Sequence, residues 1–239
     1  MTEKELAFAY LNQDPILHVS MLEPLRLGRA QVAAVSERGV VLEFGREADT
    51  IGMVAAADTE EALRLLKGMP CYHTWNIITE ALAKDLAELY HLSINSPCHQ
   101  AVYTGKEHLP VSADIRQLDM TYVDAVAKGY SLFYDPEYAA DRIQAGVMYG
   151  AFVDGQLAGF VGEHTEGSLG MLEVFPAYRR RGLGVELASY QINRVLDLGR
   201  VPYDQIIVGN NASAGLQQKM GMVFSKDTIS WAHPDSEQK

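Results

Sequence analysis

The residues best suited to chemistry in this chain form one short turn, Tyr178-Arg179-Arg180-Arg181-Gly182-Leu183-Gly184-Val185. An apolar run from Leu169 to Phe175 precedes it, and Pro176 ends that run because proline cannot donate to a strand ladder. Helical spacing at Leu187, Ile192, Val195 and Leu196 follows. A helix beginning there leaves its first amide N–H groups without intrahelical acceptors, and its dipole adds positive potential. Gly182 and Gly184 remove side chains, so a ligand can approach the backbone closely. Three arginines add forks matched to phosphate. The pattern predicts an anion site for a phosphate or diphosphate; the alternative is a tight turn with a solvated arginine run.

Two nucleotide motifs fail here. A P-loop needs Gly-Lys-Ser/Thr, and Val185-Glu186 follows Gly184 instead. A dinucleotide fingerprint needs a third small residue where Leu187 stands. Cys71-x-His73 and Cys98-His99 are spaced too tightly for the usual zinc fingers, so no metal is expected. Acid–base candidates gather just before the turn: Glu163, His164, Glu166 and Glu173. His164 has the most suitable unperturbed pKa. Glu173 interrupts an apolar run, so its carboxylate either faces a cleft or emerges on a solvated face.

The elements that must position these groups read as α/β. In the first half, 39–44 and 51–56 are short buried strands. Asp58-Thr59-Glu60-Glu61 caps a helix that stops at Gly68, a longer helix is expected over 74–92, and 100–103 is a further strand. Residues 104–113, with Gly105 and Pro110, read as a linker. Beyond it come a strand at Ile115, one or two tyrosine-rich helices over 120–146, and two strands joined by Asp154-Gly155, a strong hairpin signal. The strand 169–175, the helix 184–198, a strand at 205–208, a helix at 213–220 and two strands around Phe224 and 229–231 complete the chain. The expected division is 1–108 and 111–239.

The 239 residues carry a net charge of −11, spread evenly along the chain, which disfavours a nucleic-acid partner. No run is long and apolar enough for a membrane span, and the amino terminus lacks a secretory signal pattern. With only two cysteines there is no disulfide framework, so a cytoplasmic protein with no membrane partner is expected.

The turn and its surroundings closely resemble the GNAT superfamily of N-acetyltransferases, whose signature is Arg/Gln-x-x-Gly-x-Gly/Ala after a strand ending in Val-x-Pro. Arg179, Gly182 and Gly184 match the signature, and Val174-Phe175-Pro176 matches the strand end. A second family element, Asn-x-x-Ala/Ser and then Leu-Tyr and Gly-Phe, is matched by Asn210, Ser213, Leu216 and Gly221-Met222. Ser213, the Met220-Gly221-Met222 ending and the two-part chain resemble the glycine-N-acyltransferase-like branch.

The resemblance implies a mixed, mostly antiparallel splayed sheet flanked by helices, with a smaller α/β domain before it, a degenerate half of similar fold. It implies acetyl-CoA as co-substrate, with the diphosphate on the amides of residues 181–185 and contributions from Arg179 and Arg180. Val174 would meet the thioester carbonyl, and Asn210 and Ser213 would line the far wall. The implied reaction is direct transfer of acetyl to a primary amine of a small molecule or amino acid. Glu173 and His164 are the candidate bases, because an attacking amine must be neutral. One departure matters: the family often has a tyrosine acid where Gln217 stands, and an amide cannot surrender a proton at useful pH. The alternative is therefore a catalytically weak acyl-CoA-binding or sensing module. The oligomeric state stays open, a homodimer being one option.

Overall fold

A computed structural model describes residues 1–45 and 50–235. By contacts the chain forms two compact units. The first comprises residues 1–101, 206–210 and the described chain from Phe224 on; the second comprises 102–205 and 211–223. The first unit is thus built from three separated segments, unlike the linear division at 108–111.

The first unit opens with α1 (Glu3–Leu11), begun by a capping box between Thr2 and Glu5, and α2 (Val19–Arg26). Strands β1 (Ala30–Ser36), β2 (Gly39–Phe44) and β3 (Ile51–Ala56) pair antiparallel in turn. Then come α3 (Thr59–Leu66), β4 (Thr74–Ile78), α4 (Glu80–Tyr90), β5 (Leu92–Ile94) and β6 (Cys98–Val102). The last strand of the chain, β12 (Val223–Pro234), pairs with β4 and β5, giving the order β1-β2-β3-β4-β12-β6. Strand alternation sorts the core onto two faces. Val40, Leu42 and Met53 meet Leu11, Met21 and Leu25 of α1 and α2, while Val41 and Val54 meet Leu65, Trp75, Leu82 and Leu86.

The expected helix over 74–92 is two elements. Its first five residues, Thr74-Trp75-Asn76-Ile77-Ile78, form β4, because aromatic and β-branched residues favour a strand buried on both faces. Thr79 then caps α4 through its hydroxyl. Likewise, the two strands expected around Phe224 and 229–231 are the single β12. The helices and strand before residue 39 carry weak patterns and went without a sequence expectation.

The second unit contains β7 (Asp114–Gln117), α5 (Val123–Gly129), α6 (Pro136–Gln144), β8 (Tyr149–Val153), β9 (Gln156–Glu163) and β10 (Leu169–Val174). After them run α7 (Leu183–Asp197), β11 (Tyr203–Ile207), which starts in this unit, and α8 (Asn211–Lys219). The strand order is β11-β10-β9-β8-β7, all antiparallel except β10 with β11. Asp154 and Gly155 both take positive φ in the β8–β9 turn, as that turn requires. Residues 104–113 form no helix or strand, but they are not loose. Asn193 of α7 bonds both the N–H and the carbonyl of Leu109, and Glu186 accepts the N–H groups of Ser112 and Ala113.

One order of elements occurs twice. Two helices, three antiparallel strands, a helix, a strand parallel to the third and a further helix run through α1–α4 and again through α5, α6, β8–β11, α7 and α8.

Candidate functional site

The arginine-glycine turn links β10 to α7. Pro176–Tyr178 make a single 3-10 turn, after which Arg179 returns to extended backbone. Arg180 then takes φ 64° and Gly182 φ 82°. A non-glycine residue in that region is strained, which marks Arg180 as a constrained point of the turn. The Arg179 Nε donates to the carbonyl of Val174 at 2.9 Å, so this arginine clamps the turn from within. Arg181 lies over the ring of Tyr178, and Arg180 and Arg181 are both exposed. Among the described residues none of the three arginines pairs with a carboxylate.

Gly182 caps α7 without any side-chain hydrogen bond; Val185 donates its N–H to the Gly182 carbonyl at 2.9 Å, and the N–H groups of Leu183 and Gly184 have no hydrogen-bond partner among the described residues at the start of this fifteen-residue helix. A Cβ added at Gly182 would meet no atom within 4 Å, and one at Gly184 would meet only Val174, at 3.9 Å. Internal packing therefore does not explain the absent side chain at Gly184. The matching helix start in the first unit has the opposite chemistry. Asp58 accepts the N–H of Glu61 at 2.9 Å and pairs with Arg38, and Glu60 and Glu61 fill the first turn of α3. That end is already occupied by the chain's own carboxylates.

Beside the turn lies a cleft of about 430 Å³ whose lining includes Lys128, Gly129, Glu173, Val174, Phe175 and Arg179. It sits where β10 loses its regular pairing with β9, between Gly170 and Glu173, with Met171 at φ 48°. Gly129 permits the close packing of α5 there, since a Cβ would come within 2.9 Å of both Phe160 and Phe175. The Glu173 carboxylate accepts the N–H of Ser131 at 3.0 Å, which aims it along the loop following α5. Leu132, Phe133 and Tyr134 on that loop are exposed.

The other expected groups divide. His164 is not among the residues lining this cleft. Its Nδ1 meets the Tyr138 hydroxyl at 2.8 Å, and its ring lies so close over Gly170 that a Cβ there would be 2.4 Å from Nε2. Burial lowers its pKa, Glu166 opposes that shift and Arg142 adds to it. Glu163 is taken up by structure: Arg194 and Arg200 bond its two oxygens at 2.5 and 2.6 Å, and Gln191 adds a third bond. It ties β9 to α7 and drops out as a base. Glu166 accepts from Ser168 at 2.5 Å. Ser213 lies on α8 in the second unit, while Asn210, in the turn before α8, is counted with the first.

Sequence reasoning missed Asp204. It is buried on β11 opposite Leu169 of β10, and its carboxyl accepts from the Gln205 N–H at 2.7 Å and the Gln217 amide at 2.5 Å. The available signal was one acid inside the apolar run Tyr203-Asp204-Gln205-Ile206-Ile207. Among the described residues no cluster of three or more His, Cys, Asp or Glu could hold a metal, and no helix is long and apolar enough to cross a membrane.

Residues 146–231 match the family model described as FR47-like protein. A comparison with curated protein sequences finds no match. Among solved structures, a Drosophila malonogaster protein is similar at 16% identity and TM-score 0.70, over 98% of this chain and 97% of that one. A GCN5-related N-acetyltransferase from Kribbella flavida is similar at 13% identity and TM-score 0.57, over 92% and 96%. A GCN5-related N-acetyltransferase-like protein from Streptococcus suis is similar at 14% identity and TM-score 0.54, over 95% and 99%. At such identities the likeness concerns the fold: the chain has the GNAT N-acetyltransferase fold, with an FR47-like domain over 146–231.

Proposed function

We propose that the second unit transfers an acetyl group from acetyl-CoA directly to a primary amine of a small molecule or amino acid. The observation that carries this reading is the start of α7 at Gly182 and Gly184, without a side-chain cap and flanked by arginines that no carboxylate among the described residues pairs with. The amides from Arg181 to Gly184 would hold the diphosphate, the Val185 N–H expected to join them being taken up by the Gly182 carbonyl, with Arg180 and Arg181 as counter-charges and Arg179 bracing the turn. Val174 would meet the thioester arm, and Ser213 of α8, in the same unit, would complete the cofactor site. Glu173, at the cleft beside Val174, is the group best placed to take the amine's proton. His164, bonded to Tyr138 and packed on Gly170 of β10, would take a supporting part. The resemblance to the glycine-N-acyltransferase-like branch belongs to this proposal, as does the reading of the first unit as a degenerate half of the same fold. The carboxylates that fill the start of α3 support that second reading.

A second reading, a module that binds acyl-CoA without turnover, is favoured by one feature: Gln217, in place of a tyrosine, is buried against Asp204. Thiol release from acetyl-CoA across amines, amino acids and polyamines separates the two. Release with at least one acceptor supports transfer. Tight CoA binding without release from any of them supports the binding module.

A further inference from the structure

The second unit buries two carboxyl groups in contrasting ways. Glu163 is neutralised by two guanidinium groups. Asp204, 8% exposed, has no cation partner among the described residues; it receives only the uncharged donors of Gln205 and Gln217. A carboxylate deprived of water and of a counter-ion favours its protonated form. Gln217 carries a matching signature: it is 4% exposed, and its Oε1 has no hydrogen-bond partner among the described residues. A side-chain amide can serve either state of its neighbour. Nε2 donates to the carboxylate, and after the amide turns over, Oε1 accepts from the carboxylic acid. The hydrogen bond between the two side chains can therefore form with the proton present or absent, which suits a group that gives one up and regains it.

Its position ties it to the proposed site. Asp204 pairs with Leu169 of β10, which stands two residues before Met171 in the irregular stretch between Gly170 and Glu173. Tyr130, buried at the end of α5, has its phenol pushed up by burial first and then by the charges of Asp204, Tyr138 and Glu173. We infer that Asp204, oriented by Gln217, donates the proton to the sulfur that leaves in the proposed transfer; this rests on that reading. The amine nitrogen forms its bond to the carbonyl carbon and loses a proton to Glu173. The carbon–sulfur bond breaks, sulfur departs with the electron pair, and the Asp204 carboxyl supplies its proton. Glu173 then releases its proton to solvent and Asp204 recovers one before the next turnover. Burial, with Glu166 nearby, raises the Asp204 carboxyl to about 7 against the opposing bonds from Gln205 and Gln217. Tyr138 is held up at about 12, and so is a weaker acid at neutral pH. The titratable groups facing Asp204 are Glu166, from the β9–β10 loop, and Tyr130.

Infrared titration of the free wild-type protein tests this without any variant folding. An Asp204 carboxyl band, identified by its loss in Asp204→Asn and titrating near 7, is expected; a midpoint at the ordinary value of about 4 overturns the assignment. If that variant does not fold, isotope labelling of aspartate identifies the band by its titration. The second measurement is thiol release from acetyl-CoA with hydroxylamine, a nucleophile mostly unprotonated at neutral pH, so release reports on departure of sulfur. Asp204→Asn should lower kcat about 100-fold and abolish the fall in rate above about pH 7 that wild type shows, with CoA affinity unchanged. Gln217→Leu should move that limb. An unaltered rate and limb in Asp204→Asn overturns the inference, as does no enzyme-dependent release by wild type. Failure of wild type to bind CoA by calorimetry overturns the transfer reading itself, and so is told apart from a failure of Asp204 alone.

Discussion

At the scale of single residues, the two proton-handling roles proposed above belong to carboxyls with opposite surroundings. Glu173 is partly exposed at a cleft and held by one backbone N–H. Replacing it with glutamine keeps that hydrogen bond and removes the base, so Glu173→Gln should lower kcat about 100-fold at neutral pH with little change in CoA affinity. Steady-state rates together with calorimetry check this. Asp204 also leaves a mark on stability. Its folded pKa, raised mainly by burial to about 7, exceeds the unfolded value. Its contribution is therefore complete below about pH 4 and is lost as pH rises through about 7. Urea midpoints at about pH 5 and about pH 8 should differ less in Asp204→Asn than in wild type. Equal differences in the two proteins would contradict a proton held on Asp204. The turn was legible in the sequence because glycine and arginine act there through types and spacing alone. Asp204 was not, because nothing local tells a buried, unpaired acid from a solvated one.

At the scale of elements, the Glu163 ion pair explains how α7 is held on β9 with its amino end at the turn. The pair is buried, and both arginines depend on that one carboxylate. Glu163→Gln should therefore reduce unfolding free energy by about 3–5 kcal/mol, as removal of one member of a buried pair does. Chemical denaturation measures it; a loss below about 1 kcal/mol would show the pair to be dispensable. Hairpin β8–β9 and helix α7 were readable from Asp154-Gly155 and from apolar spacing, since both signals are local. The β4–α4 junction was not. A strand buried on both faces and a capped helix run together there without a glycine or proline between them, so periodicity alone merged them.

At the scale of the whole molecule, the last strand completes the first unit. Trp231 and Ala232 of β12 pair with Asn76 and Trp75 of β4, and Ile229 lies in the core beneath α1 and α2. Ending the chain after Met222 removes this strand and should leave the first unit without a cooperative unfolding transition; limited proteolysis that spares residues 1–100 in such a chain would contradict this. The repeated order of elements also raises a question of number. Two helix starts occupy equivalent places in the two units, but only α7 is free of its own carboxylate cap. The most direct test of the central claim is calorimetric titration of CoA into the wild-type chain and into Gly182→Asp. The account predicts one CoA per chain for wild type and affinity weakened at least about tenfold by the aspartate, which sets a negative charge and a strained φ against the diphosphate. Equal affinity in the two proteins would contradict it.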